Sequence, residues 1–292
     1  MGTLLQEKGL RPGELPEVWN LEHTEEIVDI HRQYFEAGSD IVLTNTFGAN
    51  ALKFHSGDYD LEDIITAAVV SAKEGAYLGV HDDREVYVAM DIGPTGKLLK
   101  PLGDLDFETA LAAFGEAARY GEAAGADLIH IETMSDMYEM KAAVLGAKEN
   151  TSLPVFATMI FDEKGKLLTG GDVAAAVAML EGLRVDALGI NCGLGPEQML
   201  PILEEIMKYT SLPVIVKPNA GLPRQRDGRT VYDVAPGGNL PLPMRRIVEM
   251  GGPARSAAAV ALPPAHIRQM TGLCRGMEAG LPARKTDTIV SS

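Results

Sequence analysis

Cysteine is nearly absent from this sequence, which contains only Cys192 and Cys274 among its 292 residues. Two cysteines are too few for the disulfide framework of a small secreted domain, so we expect a protein of the reducing cytoplasm. Long apolar runs are also missing, since no stretch approaches the roughly 20 apolar residues that cross a bilayer. The opening residues lack the apolar core of a signal peptide. These absences argue against a secreted or membrane-spanning protein.

Basic residues are scarce relative to acidic ones, at 26 Lys and Arg against 41 Asp and Glu, for a formal net charge of −15. A nucleic-acid-binding protein needs a basic face that neutralises phosphates, and the nearby pair Lys97 and Lys100 has no further basic neighbours to form one. An anionic membrane surface would repel the chain. We therefore expect no nucleic-acid or membrane partner, and we interpret the acidity as an aid to solubility.

The chain does contain short apolar runs that alternate with longer amphipathic ones. The apolar runs are almost continuous in Val, Ile, Leu and Ala, as is typical of strands buried on both faces of a parallel sheet. They span residues 40–47, 86–92, 127–133, 154–161, 186–191 and 213–217, and the helical patterns span 24–37, 61–78, 107–124, 137–148, 173–183 and 196–209. Repeated strand–helix units with short joints predict right-handed crossovers and a parallel sheet.

The six strands suit an eight-stranded α/β barrel with two uncertain members. No strand precedes the first helix after Met1, and the last expected strand falls in the unusual run 251–260. We predict a (β/α)8 TIM-like barrel with a truncated first strand and an altered last-strand region, over residues 1–280, followed by a tail or linker at 281–292. A doubly wound open sheet is the alternative, although no Gly-x-Gly-x-x-Gly follows a first strand.

Polar residues cluster where the predicted strands end. In such barrels the site is built at the carboxyl ends of the strands. The polar strand ends are 44–48, 91–96, 132–133, 191–193 and 217–221. Because these ends converge on one rim of a barrel, they predict a pocket for a small polar ligand.

Cys192 and Glu132 are the two strand-end residues with the most definite chemistry. Cys192 is a buried apolar side chain, a nucleophile or a metal ligand. A nucleophile needs a base such as His, and no His lies at a predicted strand end, because His130 falls in mid-strand. A metal ligand is therefore the preferred functional interpretation, although one thiolate does not hold zinc. Glu132 requires a cationic partner, which is either a substrate amino group or Lys217.

Several segments together resemble the homocysteine S-methyltransferase family, in particular the homocysteine-binding modules of cobalamin-dependent methionine synthases. The likeness extends from Met1 to about Gly280. The segments that carry it are 1–9, 43–50, 91–96, 131–136, 189–193 and 216–221.

The resemblance implies a (β/α)8 barrel that binds zinc through one Cys ending the sixth strand and a Cys-Cys pair ending the eighth. Cys192 matches the first thiolate, and Asn219 matches an oxygen ligand that fills the fourth position until substrate arrives. Glu132 would hold the substrate amino group. Asn45, Asp91 and Asn191 are the other expected substrate-binding residues.

The implied reaction converts homocysteine to methionine. Zinc would lower the pKa of the homocysteine thiol, and the thiolate would attack a methyl group. The expected donor is methylcobalamin on a separate corrinoid protein, or a small sulfonium or ammonium compound. Neither the donor nor the oligomeric state follows from the sequence.

The sequence departs from the family pattern at two places. The family's opening strand, which ends in a substrate-binding Asp before Met-Gly-Thr, is not represented before Met1. Ala259 and Val260 occupy the positions of the Cys pair, and neither side chain binds a metal. We therefore expect impaired zinc-dependent methyl transfer. The alternatives are an inactive barrel that binds an amino acid or a corrinoid protein, and a pterin-binding methyl-transfer barrel.

One hypothesis for the altered run is a pair of short reading-frame slips across residues 237–264. Permitted codons for Arg255 to Pro263, displaced by one base, encode Val-Gly-Gly-Cys-Cys-Gly-Thr-Thr. The same displacement over residues 238–243 gives an ordinary helix start. Divergence of the protein is the alternative, and sequencing the gene again distinguishes the two.

Overall fold

The structure is a computed structural model that describes residues 1–54, 59–219, 223–226, 229–232, 244–247 and 263–274. These residues belong to two compact units. The first contains residues 1–134 and 138–156, and the second contains residues 135–137 and the described residues from 157 onward. The predicted last strand at 251–260, the boundary at 280 and the tail at 281–292 lie outside the described residues and stay predictions.

Helices and strands alternate along the chain as the apolar pattern predicts. In chain order the elements are α1 (Gly2–Lys8), a 3-10 turn (Pro16–Val18), α2 (Trp19–Glu22), α3 (Thr24–Glu36), β1 (Ile41–Leu43), α4 (Leu61–Gly79), β2 (Tyr87–Ile92), α5 (Phe107–Ala123), β3 (Leu128–Met134), α6 (Met137–Asn150), β4 (Val155–Met159), α7 (Val173–Gly182), β5 (Ala187–Asn191), α8 (Pro196–Tyr209), β6 (Val214–Lys217), β7 (Pro223–Arg226), β8 (Arg229–Tyr232) and α9 (Pro264–Cys274). A further helical turn covers residues 244–247.

The sheet is parallel, and its strand order from β1 to β6 is the chain order. In the first unit β2 pairs with both β1 and β3, and the register places Asp91 of β2 opposite His130 of β3. In the second unit β5 pairs with β6, and Asn191 lies opposite Lys217. Because paired residues of parallel strands point to the same face, the register decides which polar side chains become neighbours.

Close contact between two helices determines the packing of the first unit. Gly75 of α4 lies against α3 so tightly that a Cβ atom on it would be 2.5 Å from the Cβ of His31 and 2.9 Å from the Arg32 nitrogen. A Cβ atom on Gly79, one turn later, would lie 2.6 Å from the Arg32 carbonyl oxygen. The two glycines therefore set the distance between α3 and α4.

The second unit also contains an antiparallel pair that the sequence analysis missed. Strands β7 and β8 pair with Arg226 opposite Arg229. Among the described residues, no helix is both long and apolar enough to span a membrane.

Candidate functional site

The three predicted substrate-binding residues of the first unit are buried at or just after strand ends. Asn45 lies two residues after the end of β1, Asp91 is the second-to-last residue of β2, and Glu132 lies near the end of β3. Their exposed fractions are 5%, 6% and 7%. A buried carboxylate must meet hydrogen-bond donors or a cation.

Two threonine hydroxyl groups hold the main chain at Asp91. The Asp91 N–H donates to Thr44 Oγ1 at 3.0 Å, and Thr46 Oγ1 donates to the Asp91 carbonyl oxygen at 2.8 Å. The two hydroxyl oxygens are themselves 2.6 Å apart. These side chains replace ladder partners beyond the end of β1, and they fix the backbone from which the Asp91 carboxylate projects.

Asn45 is committed largely to the protein itself. Its amide donates to the Pro16 carbonyl oxygen at 2.7 Å and to Asn20 Oδ1 at 3.1 Å. Asn20 in turn donates to the Asn45 carbonyl oxygen at 2.9 Å. Because the Asn45 amide nitrogen already donates two hydrogen bonds within the protein, a ligand could use Asn45 only through its side-chain oxygen.

His130 is the residue of this region that the sequence analysis missed. His130 lies in mid-strand, as the sequence predicts, and its Nε2 is nevertheless 3.7 Å from Glu132 Oε2, with both residues buried. Residues two apart on a strand point to the same face, and this alternation could have identified the pair. The register adds Asp91 opposite His130, so two acidic residues and one histidine share one face of β2 and β3.

The backbone is strained immediately after two of the predicted ligand-binding residues. Thr133, which follows Glu132, has φ 61°, and Cys192, which follows Asn191, has φ 60°. The left-handed region is unfavourable for non-glycine residues and especially for a β-branched one. Strain of this kind costs of order 1–3 kcal/mol and concentrates at functional sites.

In the second unit, main-chain hydrogen bonds join the ends of β5 and β6. The Cys192 N–H donates to the Lys217 carbonyl oxygen at 3.1 Å, and the Asn219 N–H donates to the Leu194 carbonyl oxygen at 2.9 Å. Cys192 is half-buried, while Asn191, Lys217 and Asn219 are buried. The two predicted metal-facing residues, Cys192 and Asn219, thus lie on directly connected strand ends.

The donor set does not fit the zinc site that the resemblance implies. Within the part of the chain that the structure describes, no group of three or more His, Cys, Asp or Glu residues is placed to hold a metal ion. The whole sequence contains one cysteine besides Cys192, so three thiolates cannot be assembled from it. Ala259 and Val260, at the expected positions of the Cys pair, lie outside the described residues.

Comparison with known proteins agrees with the resemblance. A family model described as Homocysteine S-methyltransferase matches residues 1–251. A methionine synthase of Mycobacterium leprae is 37% identical over 241 residues, covering 76% of this chain and 20% of that protein. A methionine synthase of Mycobacterium tuberculosis is 35% identical over 289 residues, covering 92% of this chain and 24% of that protein. The chain thus spans a quarter or less of either relative.

A solved structure shows the fold. The metallated form of the homocysteine methyltransferase MmuM from Escherichia coli matches with a TM-score of 0.76 and 22% identity, over 93% of each chain. This likeness confirms the TIM-barrel fold class over the open-sheet alternative. The family match ends at Gly251, next to the altered run.

Proposed function

Because the chain belongs to the homocysteine S-methyltransferase family, we propose that it is the homocysteine-binding part of a methionine synthase, and that its reaction is methyl transfer to the homocysteine thiol. The family match over residues 1–251 carries this proposal. It favours a homocysteine site over the pterin-binding alternative, since homocysteine is the substrate in the family's own description.

We assign the substrate's amino group to Glu132. The carboxylate is buried near the end of β3, and a substrate ammonium group could donate a charge-assisted hydrogen bond to it. Asp91, fixed by Thr44 and Thr46, and Asn45 are the other candidates for polar contacts in the first unit, and Asn191 is the candidate in the second.

The reaction requires the thiol to lose its proton. The sulfur then attacks the methyl carbon, a sulfur–carbon bond forms, and the bond between that carbon and the donor breaks with its electron pair leaving on the donor. Cys192 and Asn219 are the residues we assign to a metal, but they offer one thiolate and one amide oxygen. Zinc sites take about three or four protein ligands, so we propose that this polypeptide binds homocysteine but activates its thiol poorly.

The methyl donor must come from elsewhere. The relatives are four to five times longer than the segment they share with this chain. We propose that a corrinoid-carrying protein delivers the methyl group, as methylcobalamin, with a small methylsulfonium compound as the second candidate.

Calorimetric titration with homocysteine tests the binding half of the proposal. The wild type should bind, and Glu132→Gln should weaken binding about tenfold or more, because a hydrogen bond to a charged group contributes about 1.5–3 kcal/mol. The same exchange at exposed Glu108 of α5 is the control and should leave the affinity unchanged. A wild type that ignores homocysteine, or a Glu132→Gln variant with undiminished affinity, contradicts the assignment.

Turnover is measured separately, with methylcobalamin or a methylsulfonium compound as donor and methionine as the detected product. Slow turnover supports an impaired methyltransferase. Binding without turnover supports the inactive barrel, which the low cysteine count favours. Fast turnover by the chain as it stands refutes the proposed impairment.

A further inference from the structure

The loop that follows β2, residues 93–96, is held at alternate residues, and we call it the β2 loop. At its start, the Gly93 N–H donates to the Phe47 carbonyl oxygen at 2.9 Å. A Cβ atom on Gly93 would lie 2.6 Å from that oxygen and 2.6 Å from the Phe47 ring. The β2 loop is thereby pressed against the segment that follows β1.

The second attachment is made by a buried carboxylate. Glu139 Oε1 accepts the Thr95 N–H at 2.8 Å and the Thr95 hydroxyl at 2.6 Å. Glu139 is only 4% exposed. Two hydrogen bonds from one residue therefore converge on a single carboxylate oxygen.

Glu139 lies close in the chain to β3, and its partner Thr95 lies close to the end of β2. Glu139 lies in the first turn of α6, where the helix dipole stabilises a negative charge. Helix α6 follows β3, which carries Glu132, and the β2 loop begins two residues after Asp91. One carboxylate therefore connects the chain just beyond the two acidic residues assigned to the substrate.

We infer that Glu139 is a positioning residue, which fixes the β2 loop against α6 and so sets the placement of Asp91 relative to Glu132. It touches Thr95 rather than substrate. The effect on homocysteine rests on the proposed function, whereas the attachment of the loop does not.

The experiment compares Glu139→Ala, which removes the acceptor, with Glu139→Gln, which keeps an oxygen for Thr95. Glu149→Ala, at an exposed position of the same helix, is the matched control. Thr95→Val, which removes only the hydroxyl donor, serves if Glu139→Ala does not fold. Amide hydrogen exchange at Thr95 reports on the loop without any ligand, and calorimetry reports on homocysteine binding at temperatures where every variant is folded.

In Glu139→Ala we expect Thr95 exchange to accelerate at least about tenfold. We expect homocysteine affinity to fall about tenfold or more, since misplacement by about 1 Å can cost far more than that. Glu139→Gln should recover both to within about threefold, because its oxygen still accepts from Thr95. Thr95→Val should show a smaller loss of affinity, and Glu149→Ala no change. If the wild type turns over, KM should rise more than kcat falls.

Unchanged Thr95 exchange in Glu139→Ala overturns the inference. So does wild-type homocysteine affinity in a variant whose loop exchanges freely, since Glu139 would then only stabilise the fold. Failure of Glu139→Gln to recover either property removes the hydrogen-bond argument. If the wild type does not bind homocysteine, the proposed function fails, and the exchange measurement alone decides whether Glu139 positions the loop.

Discussion

Acid should destabilise this protein through one buried histidine. His31 of α3 is 1% exposed, and neither ring nitrogen has a hydrogen-bond partner among the described residues. Burial lowers the pKa of His31 to about 3, and the positive charge of the N-terminal amino group acts in the same direction. The folded protein therefore holds this imidazole neutral at pH values where an unfolded chain protonates it.

The size and sign of the effect follow from the two pKa values. The unfolded-state pKa is about 6.5, so the unfolded chain binds the extra proton between about pH 6.5 and pH 3, and stability falls as the pH falls through that window. At pH 4.5 the loss is about two pKa units at 1.36 kcal/mol each, or ~2.7 kcal/mol. That is a large share of the roughly 5–15 kcal/mol that stabilises a typical domain.

Urea unfolding at pH 7.5 and pH 4.5 measures the effect. Between pH 7.5 and pH 4.5, we expect the unfolding free energy of His31→Leu to fall by ~2.7 kcal/mol less than that of the wild type. Exposed His81 gives the control, since His81→Leu should keep the wild-type difference. Carboxylates such as Asp172, whose pKa is lowered by hydrogen bonds from the Ala175 N–H and from Lys166, also destabilise the fold in acid. These carboxylates act equally in the wild type, His31→Leu and His81→Leu, so their effects cancel when the pH dependences of the three proteins are compared. Equal pH dependence in wild type and His31→Leu would refute the reasoning.

Two other predictions concern packing and the metal. Gly75→Ala should cost about 1–3 kcal/mol of unfolding free energy, because its Cβ would meet α3 backbone and Cβ atoms at 3.1 Å or less. Gly182→Ala, in α7 with nothing within 4 Å, should be neutral or stabilising by up to about 1 kcal/mol. Urea midpoints of both variants check this, and a harmless Gly75→Ala would contradict the packing argument. Replacing Ala259 and Val260 with Cys should raise zinc content after dialysis from little to about one ion per chain. A double variant that stays zinc-free shows that the missing thiolates do not explain the departure from the family.

Much of the fold could be predicted from the sequence because parallel strands buried on both faces need continuous apolar runs. The run 86–92 predicts β2 almost residue for residue, since the strand is Tyr87–Ile92. The run 40–47 overestimates β1, which ends at Leu43. Beyond that point, the hydroxyl groups of Thr44 and Thr46 bond to Asp91 in place of a ladder. The apolar pattern of a sequence does not reveal where side-chain hydroxyl groups take over the hydrogen bonds of a neighbouring strand's main chain.

The parts of the candidate site that escaped prediction depend on contacts between distant residues. His130 becomes a neighbour of Glu132 by strand alternation, which the sequence contains, but its register opposite Asp91 is set only by the folded sheet. Glu139 and Thr95 are 44 residues apart, and their hydrogen bond requires that a loop and a helix start meet. Local propensity carries no information about either event.

In the function that we propose, homocysteine binding and thiol activation are separable properties of this chain. The residues assigned to the substrate are buried on strands of the sheet or, in the case of Asn45, just after one. Exchanging a cysteine pair for Ala259 and Val260 replaces two thiols with one smaller and one slightly larger apolar side chain, a change that removes metal ligands but keeps the apolar character of the sequence. A chain can therefore keep the family's barrel, and its match over residues 1–251, while losing the donors that would ionise the thiol. Family membership alone does not establish turnover, which depends on the thiol-activating groups of this polypeptide.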